Sequence, residues 1–224
     1  MLNIVVGIPT VNRAPVLCKM LAHLALQTRM PDRVIVSAAK SGDTEGVDTI
    51  LPGADVLYTE SGASSQRNAV ILAAPEADVI IFFDDDFLPQ PGYLAAVEQH
   101  MQEYPTTVIV TGKVLADGIN GPGLSVAEGK AILTRDSLEC GTKPVSGASP
   151  VFSGYGCNMA VRVAPIRQSG VRFDEGLPLY SWQEDVDLSR QLAAFGDVMK
   201  LDAARGVHLG VKVGRGSGVR LGYS

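Results

Sequence analysis

Three cysteines, Cys18, Cys140 and Cys157, are all the chain contains, and no two stand at the spacing of a metal finger or a CxxC pair. A disulfide framework is therefore excluded, and a reducing cytoplasm is expected. Positive charge is not in excess either. Lys and Arg number 19 against 24 Asp and Glu, a formal net charge of -5. A nucleic-acid binder neutralises many phosphates with clustered Lys and Arg, so no partner of that class is expected. A small anion held locally is not excluded. Long apolar runs are also missing. Met1 to Pro9 lacks a basic start and is too short for a signal peptide, and no later window approaches the roughly 20 residues of a membrane-spanning helix. The expectation is a soluble protein, with attachment to the inner face of a membrane left open.

What is present is 224 residues with 46% hydrophobic content, enough for one sizeable core and short for two. Ile4 to Ile8 is a β-branched run ended by Pro9, and Ala14 to Gln27 carries Val16, Leu17, Met20, Leu21 and Leu24 on one helical face. The pattern repeats: strands at Val34 to Val36, Asp55 to Thr59, Val79 to Phe83 and Thr107 to Val110, helices at Ser64 to Ala74 and Gly92 to Tyr104. Such alternation predicts an α/β fold, a Rossmann-like, mostly parallel sheet with helices on both faces. From Asp117 to Pro150 the text turns to Gly, Pro and Ser without a sustained period, which predicts loops and an edge hairpin. Order resumes at Asn158 to Val163, then a helix from Glu184 to Phe195 and a strand from Val198 to Leu201. Lys212, Arg215 and Arg220 lie in a glycine-rich basic tail over 212–224, placed either over a phosphate group, against anionic lipid, or simply in solvent.

Val79 to Phe83 delivers Asp84, Asp85 and Asp86 to the end of a buried strand, the rim where open α/β sheets bind ligands. If the chain stays extended, Asp84 and Asp86 share a side and Asp85 points away. Two same-side carboxylates suit a hard divalent cation such as Mg²⁺ or Mn²⁺, which typically adds phosphate oxygens from a substrate. The plainer reading is that these aspartates cap a turn and are solvated.

The ordered set of motifs resembles the family-2 glycosyltransferases of the GT-A fold over nearly the whole chain. Val5-Val6-Gly7-Ile8-Pro9-Thr10-Val11-Asn12-Arg13 is similar to the opening strand and turn of that family, and Ser65-Gln66-Arg67-Asn68 to its nucleotide-contacting helix start. Asp84-Asp85-Asp86 falls at its Asp-x-Asp motif, Gly154 to Arg162 at its acceptor-side strand, and Trp182 to Leu188 at the segment carrying its base. The resemblance implies a GT-A domain over 1–211, with a nucleotide-binding half at 1–112 and an acceptor-binding half at 113–211. It implies substrate contacts at Pro9, Thr10, Asn12, Arg13, Arg67, Asn68, Asp84, Asp85, Asn158 and Trp182, and a Mn²⁺ or Mg²⁺ site at Asp84, Asp86 and His208. It implies Asp185 as the base, with Glu184 the alternative. The activity implied is inverting transfer from a nucleoside-diphosphate sugar, UDP first, to a saccharide or lipid-linked saccharide in cell-surface glycan assembly.

Each of these residues has a structural alternative: Glu184 and Asp185 suit a helix start, His208 a satisfied core position, Trp182 the core, Arg13 and Arg67 the surface. One departure stands out. Family members carry an Asp after the second strand, and here the nearest position is Ala38, so the base need not be uracil. The Gln-x-x-Arg-Trp signature of processive synthases is absent after Asp185, which favours transfer of one sugar per encounter. A haloacid-dehalogenase-like phosphatase would place its Asp-x-Asp near the N-terminus and follow it with Thr or Val, whereas Phe87-Leu88-Pro89 follow here. A nucleotidyltransferase would carry a Gly-rich basic loop after the first strand. A non-catalytic sugar-nucleotide or glycan binder would not need Glu184 and Asp185.

Overall fold

In the computed structural model, residues 1–141, 146–177 and 183–213 are described. Among them, nine strands form one sheet in the order β3-β2-β1-β4-β8-β6-β9-β5, with β7 also paired to β9. The first four are β1 (Ile4–Thr10), β2 (Arg33–Ala38), β3 (Asp55–Tyr58) and β4 (Val79–Phe83). These are mutually parallel. β8 (Asn158–Arg162) runs antiparallel between β4 and β6 (Thr107–Asp117). Two reversals restore direction, so β6 and its parallel neighbour β9 (Asp197–His208) point the same way as β4. The C-terminal ends of β4 and β9 and the N-terminal end of β8 consequently share one rim. The edge of β9 is covered by β5 (Phe87–Pro89) and β7 (Ala148–Pro150), both antiparallel to it.

Strand alternation decides which helix covers which face. Ile4, Val6 and Ile8 pack with Leu17, Met20 and Leu21 of α1 (Ala14–Leu24) and with Leu94 and Val97 of α4 (Tyr93–Glu103). Val5, Ile35, Ile80 and Phe82 turn to the other face. There they meet Val70 and Ile71 of α3 (Ala63–Ala73), Ile166 of α6 (Val163–Ser169) and Leu188 and Leu192 of α7 (Glu184–Leu192). Each fully buried aliphatic side chain contributes about 1.5–3 kcal/mol. Gly7 is required by close approach, because a Cβ there would lie 2.7 Å from Val70 Cγ1. α2 is a single turn, Val47–Ile50, behind a 3-10 turn at Ser41–Thr44.

The loop expectation for 117–150 is overturned. α5 (Val126–Cys140) spans 15 residues there, and β6 continues to Asp117. Only Gly129 and Leu133 of α5 are buried, so no apolar stripe announces it. Its start is fixed by Ser125 Oγ, which accepts from Glu128 N at 3.2 Å while Glu128 Oε2 accepts from Ser125 N at 2.8 Å, a reciprocal cap. β6 and β9 run past their expected ends because register shifts between Thr107/Ile109, Gly112/Lys113 and Val114/Ala116 let the pair bend without separating. No helix among the described residues is long and apolar enough to cross a membrane.

Candidate active site

The chain leaves β4 at Phe83 and turns through Asp84 to Asp86 before β5 begins at Phe87. Asp84 N donates to Cys157 O and Phe87 N to Asp84 O, which fixes the turn. Asp84, Asp86 and His208, at the end of β9, each offer a ligand atom, and these atoms lie within 4.8 Å of one another. His208 Nε2 is 3.4 Å from Asp86 Oδ1 and 3.9 Å from Asp84 Oδ2. The chain does not stay extended here, so strand alternation does not govern the three acids: Thr10 Oγ1 donates to Asp85 Oδ2 at 2.7 Å, and Arg13 Nη1 lies 3.3 Å from its Oδ1. Arg13 Nη1 is also 3.3 Å from Asp86 Oδ2, which accepts from Val211 N at 2.8 Å.

Burial and charge sort the three acids. Burial pushes Asp85 up to about 7, against the pull of Arg13. Burial also opposes the charged form of Asp86, but His208, Arg13 and the Val211 N–H outweigh it and hold the carboxyl below its usual range. His208 is raised, because burial, which alone would lower it, is overcome by Asp86, Asp84 and Asp117. Asp117 Oδ1 lies 2.9 Å from His208 Nδ1 and Asp117 Oδ2 accepts from Tyr155 Oη at 2.8 Å. In the neutral ring, an Nδ1–H donated to Asp117 would leave the Nε2 lone pair facing Asp84 and Asp86, the arrangement that orients metal-binding imidazoles. Nε2 is buried and has no hydrogen-bond partner among the described residues. Two carboxylates and an imidazole so arranged fit Mn²⁺ or Mg²⁺.

Across the rim, Glu184 and Asp185 open α7 directly after Gln183, whose φ of 71 is unusual for a residue with a side chain. Asp185 Oδ2 accepts from Gly156 N at 2.7 Å and its Oδ1 from Val186 N at 2.8 Å, leaving a lone pair on each oxygen. Glu184 Oε1 pairs with Arg67 Nη1. Burial raises Glu184 against the pull of Arg67. Gly156 is closely hemmed in: a Cβ would lie 3.2 Å from Arg67 Nη2, 3.3 Å from Asp185 Oδ2 and 3.4 Å from Glu184 Oε1.

Several residues expected to contact substrate are instead taken up within the protein. Asn68 is buried, with its amide bonded to Phe173 O at 2.9 Å, Phe173 N at 3.0 Å and Glu175 Oε1 at 2.6 Å. Asn158 ties β8 to β6 through Thr111 Oγ1 at 2.8 Å and Gly112 O at 3.2 Å. Arg67 is 3% exposed and lies between Asp84 and Glu184, contrary to the surface alternative. Thr10 is buried with its hydroxyl on Asp85, Pro9 is half-buried, and Asn12 is exposed with a φ of 57. Ala38 is fully buried, and the nearest acid downstream, Asp43, accepts from Asn12 N at 2.9 Å and Lys40 N at 3.2 Å. Lys212 Nζ donates to Ile119 O at 2.5 Å. Trp182, Arg215 and Arg220 lie outside the described residues.

Sequence reasoning missed Asp117, Tyr155 and Gly156 as parts of the site. It also missed Gln66, whose Nε2 donates to Thr10 O at 2.8 Å and Ser37 O at 2.6 Å, joining the ends of β1 and β2. Tyr155 and Gly156 lie within the recognised Gly154 to Arg162 stretch without being singled out there, but nothing local marks Asp117; only the β6 and β9 register brings it opposite His208.

Comparison with known proteins agrees with this geometry. A relative in Bacillus subtilis (strain 168) described as an uncharacterized glycosyltransferase, YwdF, is 29% identical over 105 residues, 45% of this chain and 39% of that protein. The crystal structure of S. aureus TarS 1-349 in complex with UDP-GlcNAc superposes with a TM-score of 0.63 at 18% identity, covering 91% of this chain and 57% of that one. The mannosyltransferase PcManGT from Pyrobaculum calidifontis, in complex with GDP-Man and Mn²⁺, superposes at 0.64 with 17% identity, covering 95% and 58%. At those identities the two structures establish the fold, and the chain spans less than two thirds of each of the three proteins. The model of the glycosyl transferase family 2 matches residues 5–167, nearly three quarters of the sequence, and the chain belongs to that family.

Proposed function

We propose that the protein is a metal-dependent, inverting glycosyltransferase that moves one sugar per encounter from a nucleoside-diphosphate sugar to a saccharide or lipid-linked saccharide acceptor in cell-surface glycan assembly. The observation that carries this reading is the meeting of Asp84, Asp86 and His208 within 4.8 Å on the rim that also presents Glu184 and Asp185. Asp84, Asp86 and His208 would hold Mn²⁺ or Mg²⁺. Bound there, the ion would supply positive charge to a diphosphate leaving group as the glycosidic bond breaks. Asp117 and Tyr155 keep His208 Nε2 turned toward the two carboxylates.

Asp185 acts as general base, taking the proton of the acceptor hydroxyl as it attacks. The N–H groups of Gly156 and Val186 orient it, and attack opposite the departing diphosphate inverts the anomeric centre. Glu184 braces the site through Arg67. Asn12 and Asp84, the more exposed residues of the donor rim, would meet the donor. TarS in its UDP-GlcNAc complex and PcManGT in its GDP-Man and Mn²⁺ complex share this fold, which supports a nucleotide-sugar donor. The buried Ala38 is the reason to test more than UDP. Calorimetric titration of UDP, GDP and dTDP, each with and without Mn²⁺, is expected to show one of them binding at least tenfold more tightly with the ion; no metal enhancement for any of the three would overturn the proposal.

A further inference from the structure

Arg67 is a buried guanidinium whose contacts the transfer chemistry does not require. Its Nη1 pairs with Glu184 Oε1, and its Nη2 lies 3.1 Å from Asp84 Oδ1 and 3.1 Å from Gly156 O. The Phe173 ring closes it from another side, 5.5 Å from Cζ to the centroid. A guanidinium is a rigid planar fork, so its nitrogens cannot be re-aimed independently. Asp84 and Glu184 therefore share one cation whose orientation is common to both.

We propose that Arg67 is a positioning residue that couples the divalent-ion site to the acceptor-side wall. The coupling rests on the glycosyltransferase reading only for the identity of the two walls. A divalent ion at Asp84 weakens that carboxylate's pull on Arg67 and leaves the guanidinium to Glu184 and the Gly156 carbonyl. Conversely, Glu184 draws Arg67 away from Asp84 and frees that carboxylate for the ion. Binding couplings are reciprocal, so whatever Glu184 adds to ion affinity the ion returns as a firmer Arg67–Glu184 pair. That pair anchors the first turn of α7, which follows the left-handed Gln183 and carries Asp185. Filling the donor side thus sets the base.

The test reads Mn²⁺ binding to the nucleotide-free protein, by electron paramagnetic resonance of the free ion, and needs no turnover. Glu184→Gln leaves Arg67 on Asp84 and is expected to weaken Mn²⁺ about tenfold, within the usual range of such couplings. Asp185→Asn removes the same charge from the same helical turn, but Asp185 is bonded to the Gly156 and Val186 N–H groups; a change below about twofold is expected on the scale of a screened surface charge. In an Arg67→Met background, Glu184→Gln should matter no more than Asp185→Asn. If Arg67→Met does not fold, the two single variants decide the question alone. Equal shifts from Glu184→Gln and Asp185→Asn, no shift from Glu184→Gln, or no Mn²⁺ binding by the unaltered protein would overturn the coupling. Failure of the transferase reading would look different: the Mn²⁺ coupling present, but no nucleoside diphosphate bound.

Discussion

The two sides of the site, the donor and acceptor walls of the proposed reading, hold their carboxylates differently. On the donor wall, Asp84 and Asp86 face His208 across gaps of 3.9 Å and 3.4 Å, wider than hydrogen bonds and suited to an ion between them. On the acceptor wall, Asp185 sits on two backbone N–H groups at 2.7 Å and 2.8 Å and Glu184 on a guanidinium. The donor-side acids are held too, Asp86 by Arg13 and the Val211 N–H and Asp84 by Arg67; what sets them apart is the buried imidazole that both face. The same side-chain type is held differently because Asp84 and Asp86 lie in the turn after β4, whereas Asp185 sits at the start of α7 against the Gly156 and Val186 N–H groups.

Substitutions that treat the walls as alike should separate them. Asp185→Asn is expected to have the largest effect, a loss of about 10²–10⁴-fold in kcat for removal of a general base with Mn²⁺-dependent nucleotide affinity unchanged; a parallel loss of affinity would make Asp185 a donor-wall residue. Asp86→Asn should lower turnover on the order of 10²–10³-fold, as for other lost electrostatic stabilisers. It should also abolish the rise in Tm that excess Mn²⁺ gives the unaltered protein by mass action. Retention of that rise would remove Asp86 from the ion site. Asp117→Asn keeps the shape of the residue holding His208 and is expected to weaken Mn²⁺ about 10–100-fold, as for other residues that orient a metal-binding His. Binding unchanged in Asp117→Asn would mean that His208 needs no orienting partner. Gly156→Ala should be the mildest, because its three neighbours at 3.2–3.4 Å need move only a few tenths of an ångström. Less than tenfold in kcat, at constant Mn²⁺ affinity, would keep its effect on the acceptor wall.

Much of the donor wall was legible in the sequence because it depends on local pattern. Apolar runs at Val79 to Phe83 and Ile4 to Ile8 mark parallel strands, and the acids follow one of them directly, although in a turn and not in the extended conformation the period of two assumes. The remainder depends on contacts distant in the chain. Asp117 reaches His208 across 91 residues, through a bent strand pair that no periodicity announces. Asn68, Asn158 and Arg67 carried the right motifs, yet their side chains bond to the body of the protein, since a buried amide or guanidinium at a helix or strand end must find partners wherever the fold provides them. α5 shows a third case: its capping box at Ser125 and Glu128 was readable, while its mostly polar surface concealed the helix that follows.

The most direct measurement is anomalous scattering from a crystal soaked in Mn²⁺ and the preferred nucleoside diphosphate. The account predicts a single manganese peak between Asp84, Asp86 and His208 Nε2, with the diphosphate on its open side and Asp185 outside its coordination shell. A peak elsewhere, or a nucleotide bound with those three side chains empty of metal, would contradict it.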